Sequence, residues 1–60
     1  MLTDRIIFLA NSGGVCRIFT PFGEATGRFI FCDGEECHFL RQPGNIFKFY
    51  CVDVLGLEEF

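Results

Sequence analysis

Gly27-Arg28-Phe29-Ile30-Phe31-Cys32-Asp33-Gly34-Glu35-Glu36-Cys37-His38-Phe39-Leu40-Arg41 is the stretch that decides the fold. Two short runs rich in aromatic and aliphatic residues flank an acidic, Gly-containing quartet. Runs of this kind, bounded by Asp and Gly, are the signature of a β-hairpin. A four-residue loop sets Cys32 opposite Cys37. The same register, carried along the hairpin, sets Arg28 opposite Arg41.

The pattern repeats outward in both directions. Turn signals stand at Asn11-Ser12-Gly13-Gly14, Pro21-Phe22-Gly23, Thr26-Gly27 and Gln42-Pro43-Gly44-Asn45. Between them lie short runs rich in Phe, Ile, Val and Tyr. They predict five strands, near 4–10, 15–20, 27–32, 37–41 and 46–54, with connections short enough for antiparallel neighbours. No window of 11 or more residues shows helical spacing of apolar side chains, so no helix longer than two turns is expected. The tail, 55–60, reads as a single helical turn or a loose end. The expected architecture is all-β: one domain, 1–60, forming a small five-stranded antiparallel barrel or strongly bent sheet of SH3-like or oligonucleotide-binding size.

Nine of the 60 residues are Phe. A chain this short buries only about 60% of the surface its unfolded form exposes, whereas each aromatic offers roughly 150–250 Å². Some aromatics should therefore meet a partner. The last predicted strand sharpens this. Phe47, Phe49 and Cys51 alternate with Ile46, Tyr50, Val52 and Val54, interrupted only by Lys48, so both faces are apolar. A sheet with one wet face alternates more cleanly. Either the sheet closes into a barrel, or another subunit covers the second face. A homo-oligomer, most simply a two-fold dimer, is expected.

Charge narrows the partner. The net charge is −3, and the five cations, Arg5, Arg17, Arg28, Arg41 and Lys48, are dispersed one per run. Nucleic-acid binding rests on clustered Lys and Arg neutralising phosphates, so it is disfavoured. No apolar run approaches the roughly 20 residues of a membrane helix. The stretch after Met1 is too short for a secretory h-region, which points to the cytoplasm.

Four cysteines, Cys16, Cys32, Cys37 and Cys51, admit three readings: a metal site, reduced core thiols, or disulfides. For disulfides, Cys32–Cys37 is the pair a hairpin brings together, and the missing signal peptide argues against them. Cys32-x4-Cys37 lies within zinc-ligand spacing, and opposed positions on a hairpin bring two thiols together. The four residues could then hold zinc, but a second close pair is lacking. The plainer reading is reduced cysteines without metal or cofactor, with Cys16 and Cys51 packed in the core like small hydrophobes. The stretch Cys32 to His38 is too long for a haem-attachment motif. Catalysis finds no support: Ser12 sits in a Gly-rich turn, and Cys37 and His38, adjacent on a strand, point apart.

The function implied is a non-catalytic protein-binding module that attaches to a larger protein and modulates or inhibits it. Free-standing inhibitors of this size are often virus-encoded, a statement about size that no residue carries. Aromatic residues and Arg dominate binding hot spots, which singles out Phe22, Arg28, Phe39 and Arg41. Two alternatives remain: a zinc-stabilised adaptor using the four cysteines, and a binder of a small anionic ligand such as a nucleotide at a subunit interface.

Overall fold

The computed structural model describes residues 2–42 and 44–60. Pro43, part of the turn expected at 42–45, lies outside them. A helix, α1 (Leu2–Ser12), precedes β1 (Val15–Thr20), β2 (Gly23–Cys32), β3 (Glu36–Arg41), β4 (Asn45–Tyr50), a single 3-10 turn (Cys51–Asp53) and β5 (Gly56–Glu59). The strands form one antiparallel sheet in the order β4-β3-β2-β1-β5. The protein is mostly β with five strands, as its turn signals imply, but the first and last elements differ from expectation.

Residues 4–10 are helical, not a strand, and the helix runs for 11 residues. Ile6-Ile7-Phe8 has strand propensity, but Leu2, Ile6 and Leu9 recur at helical spacing, and Ile6 and Leu9 are buried. Burying each contributes roughly 1.5–3 kcal/mol, more than propensity differences of a few tenths per residue can oppose. Gly13 ends the helix in the left-handed region at φ 73°, and its N–H donates to the Leu9 carbonyl at 2.8 Å. A Cβ would disfavour that conformation. At the other end of the chain, the expected strand 46–54 stops at Tyr50, and the tail supplies β5.

β2 begins at Gly23, four residues earlier than its turn signals suggest, because Thr26-Gly27 lies within the strand. Gly27 is there for close approach: a Cβ at this position would sit 2.0 Å from the Leu40 carbonyl oxygen. Farther along, the register changes. Cys32 opposes Cys37 and Phe31 opposes His38, as the hairpin reading requires. Past the irregularity between Phe29 and Phe31, however, Phe29 opposes Phe39, Arg28 opposes Leu40 and Gly27 opposes Arg41. Ile30 is the extra residue of a β-bulge, and a one-residue slip exchanges the faces on which side chains stand. Arg28 and Arg41 are therefore not directly opposed, and they leave the sheet on opposite sides.

The sheet is open, since β4 and β5 form its two edges. It is also strongly bent, for a reason of chain length. Four strand spacings separate β4 from β5, about 19 Å in a flat sheet. Six residue steps join Tyr50 to Gly56, and three of those residues form a 3-10 turn. A 3-10 turn rises only about 2 Å per residue, so the link spans roughly 16 Å at most. The edges must curl toward each other. The turn between β1 and β2 accordingly reaches β4, where Phe22 shares a small cleft with Phe47, Lys48 and Phe49.

The concave face carries the core. Cys16, Ile18, Ala25, Phe29, Cys37, Phe39 and Phe49 are buried with Ile6 and Leu9 of α1, together with Cys51 and Val54. Phe29 meets Phe39 edge-on, with ring centroids 5.0 Å apart. The Arg5 guanidinium grips both carboxylate oxygens of Glu59, tying α1 to β5.

Two carboxyls sit below their ordinary values. Asp33 Oδ1 accepts the N–H groups of Glu35 and Glu36 at 2.9 and 2.8 Å, which lowers its pKa. The hydrogen bond from Arg5 lowers that of Glu59. Both folded values are depressed, so the stability they contribute is present above the ordinary values, 3.8 and 4.5, and is lost as pH falls through the lower folded ones. Arg5 stays charged throughout and adds no acid dependence. Both carboxyls are solvent-exposed, so the melting temperature should fall modestly, and mainly below about pH 4. A D33N/E59Q variant should start lower at neutral pH and fall less. A wild-type melting temperature unchanged down to about pH 2 would contradict this.

Candidate functional site

Among the described residues, no helix lies against the convex face of the sheet. Its residues follow from the register. Val15 opposes Arg28, Arg28 opposes Leu40 and Leu40 opposes Ile46, giving one row across β1, β2, β3 and β4. Val15 is 46% exposed and Ile46 57%, and Leu40 is half-buried. A second row runs Phe31, His38, Lys48. Phe31 packs on the His38 ring at 4.9 Å between centroids, and His38 Nε2 lies 3.1 Å from a Glu36 oxygen. Tyr50, opposite Glu36, closes the face at 61% exposure. Alternation positions all of these: in β4, Phe47 and Phe49 turn inward, so Ile46, Lys48 and Tyr50 must turn out.

The face is electrostatically uneven. Arg17 is paired with Glu58 at 3.5 Å and Arg5 with Glu59. Among the described residues, Arg28, Arg41 and Lys48 have no carboxylate partner within salt-bridge distance. Arg28 thus stands uncompensated between Val15 and Leu40. At this end of the sheet, a surface depression of about 260 Å³ is lined by Val15, Gly27, Arg28, Leu40, Arg41, Gln42 and Gly44. The two arginines meet there although they leave opposite faces. The Arg41 guanidinium lies 5.3 Å from the centre of the Phe47 ring.

Of the four residues singled out from sequence, three are on the surface. Phe22 is 76% exposed on the β1–β2 turn, and Arg28 and Arg41 line the depression. Phe39 is fully buried between Phe29 and Phe47, and it belongs to the core. Phe39 does share a face with Arg41, but alternation with the buried Cys37 along β3 makes that face the concave one. Val15, Leu40 and Ile46 were missed. The alternation of β4 signalled Ile46, but Val15 and Leu40 join the row only through the register.

A second cluster lies at the opposite end of the hairpin. Cys32 at the end of β2, Cys37 at the start of β3 and Cys51 in the 3-10 turn bring their sulfurs within 4.8 Å of one another. Cys32 Sγ is 3.1 Å from Cys51 Sγ and 3.4 Å from Cys37 Sγ. The Cys51 N–H donates to the Glu35 carbonyl at 2.7 Å, fixing the corner after β4 to the hairpin loop. All four cysteines are free thiols. Burial, followed by the neighbouring thiols, pushes Cys37 well above the ordinary thiol value. Burial raises Cys51 as well. Cys16 stands apart, opposite Gly27 and Glu59. Burial, with a smaller contribution from Glu59, pushes it up to about 11. The four cysteines therefore do not converge on one point, and Cys37 is as deeply buried as Cys16.

No helix among the described residues is long and apolar enough to cross a membrane. No protein-family model matches the chain, and no curated protein matches it.

Proposed function

We propose that this chain is a non-catalytic protein-binding module that docks on a larger protein and modulates it. The observation that carries this reading is the contrast between the two faces of the sheet. One face is packed against α1. The other presents Val15, Leu40 and Ile46 in one row with an uncompensated Arg28, and Phe31 and Tyr50 beyond them toward the hairpin loop. Apolar side chains interspersed with cations on an uncovered sheet face have the composition of a docking site, and Arg with aromatic residues is the composition of hot spots. Among the described residues ten large hydrophobic side chains are exposed, and Val15, Phe31, Ile46 and Tyr50 of this face are four of them.

The experiment replaces Arg28 and Ile46 with Glu and Asp. Neither side chain supports the core, so circular dichroism and melting temperature should hold. Retention of the partner from a lysate of the source cells should fall at least about 30-fold, the effect of losing roughly 2 kcal/mol of binding. Unchanged retention by the folded variant contradicts the reading. A second copy is the competing occupant of the face. Self-association that the same two substitutions abolish would assign the face to a homo-oligomer.

A second reading is supported by the depression shared by Arg28 and Arg41: a small anionic ligand such as a nucleotide. Two guanidinium groups without carboxylate partners suit a phosphate, and a guanidinium stacks on a base.

A further inference from the structure

We infer that Cys32, Cys37 and Cys51 form a three-thiolate site for a thiophilic cation, with zinc(II) as the reference ion. The site locks the β2–β3 hairpin to the corner that follows β4. It lies at the far end of the hairpin from the Arg28 depression.

Geometry carries the inference. Zinc holds thiolate sulfurs at about 2.3 Å in a tetrahedron, which places them about 3.8 Å apart. Here the two shorter separations are 3.1 and 3.4 Å, and all three sulfurs lie within 4.8 Å. A cation enters after adjustments of no more than about 1 Å in each separation. The backbone already fixes the three positions, since Cys32 and Cys37 are direct ladder partners and Cys51 is tied to Glu35. Three thiols meeting at a point, from three separate segments, is more than packing of small hydrophobes requires.

Donor chemistry narrows the ion. Every donor is sulfur. His38 stands on the other face of β3, beside Glu36, and Asp33 Oδ1 already accepts two backbone N–H groups. A sulfur-only set selects zinc or copper(I) over magnesium, calcium or manganese. Three protein ligands complete a trigonal site, and for zinc they leave the fourth tetrahedral position to water or an incoming ligand. Cys32 is only half-buried, whereas Cys37 and Cys51 are buried, so the cation has a way in on the Cys32 side. On binding, each thiol releases its proton to solvent and forms one metal–sulfur bond, and no electron is transferred.

The test uses the full chain, reduced, freed of metal with a chelator and titrated with cobalt(II) as a spectroscopic probe. The expected result is a sulfur-to-cobalt charge-transfer band that saturates at one equivalent and is displaced by zinc. Zinc should also raise the melting temperature. Cys16→Ala should bind as the wild type does. Cys32→Ser, at the half-buried position, should weaken binding at least about 100-fold, more than losing an outer-sphere partner costs. Should Cys32→Ser fail to fold, zinc protection of wild-type Cys32 from alkylation replaces it. The inference is overturned if the reduced wild type takes up neither metal at tens of micromolar. It is also overturned if Cys16→Ala loses as much as Cys32→Ser, if zinc leaves Cys32 as reactive as before, or if the cluster serves only as a Cys32–Cys51 disulfide with no metal uptake after reduction.

Discussion

Gly27→Ala should cost about 3 kcal/mol of stability, a third or more of the total for a chain of this length. The added Cβ would meet the Leu40 carbonyl oxygen at 2.0 Å, its carbon at 2.9 Å and Arg41 Cα at 3.1 Å. All three are backbone atoms, so no flexible side chain can swing away. Overpacking a well-filled site costs about 1–3 kcal/mol, occasionally more, and a backbone collision belongs at the upper end. A chain of 60 residues has roughly 3–9 kcal/mol of stability in total. Relief would require β3 to move away from β2 between Gly27 and Arg41, the segment that aligns Leu40 with Arg28. Urea denaturation followed by circular dichroism measures the effect. A Gly27→Ala protein within about 0.5 kcal/mol of the wild type would show that the two strands do not approach as described.

Phe39→Ala should be equally severe, with a loss of about 3–5 kcal/mol. Phe39 is fully buried, stacks edge-on against Phe29 and opposes Phe47 across the ladder. Truncation opens a cavity in the middle of the concave face, where neighbours on two flanking strands cannot collapse independently. Phe22→Ala is the comparison. Both residues looked like surface aromatics from sequence, but Phe22 sits on a turn at 76% exposure, and its removal should change stability by no more than about 0.5 kcal/mol. Similar losses for the two variants would contradict the division between core and surface.

These two positions also mark what the sequence could show. The Asp33-Gly34-Glu35-Glu36 loop, the opposition of Cys32 and Cys37 and the two faces of β4 were legible, because local turn chemistry and alternation determine them. Helix α1 was not. Its strand-like Ile6-Ile7-Phe8 run hides the spacing of Leu2, Ile6 and Leu9, and only packing on the sheet decides between the two. Gly27 reads locally as a turn because its actual role, close contact with β3, is long-range. The bulge at Ile30 leaves no trace, since Ile30 and Phe31 are both apolar and either could occupy the ladder. That single extra residue parted Arg28 from Arg41, whereas Phe39 is in the core because it alternates with the buried Cys37 along β3. The third thiol, Cys51, joins Cys32 and Cys37 only because the sheet curls and its last corner folds back onto the hairpin loop.

The central claim is that the convex face, and not the helix side, meets the partner. A photo-cross-linking residue placed at position 46 tests it directly, with the same residue at position 8, exposed on α1, as the control. The account predicts that the partner is captured in a covalent adduct from position 46 and not from position 8, and that Arg28→Glu in the same chain abolishes the adduct. Capture from position 8 with none from position 46 would contradict it.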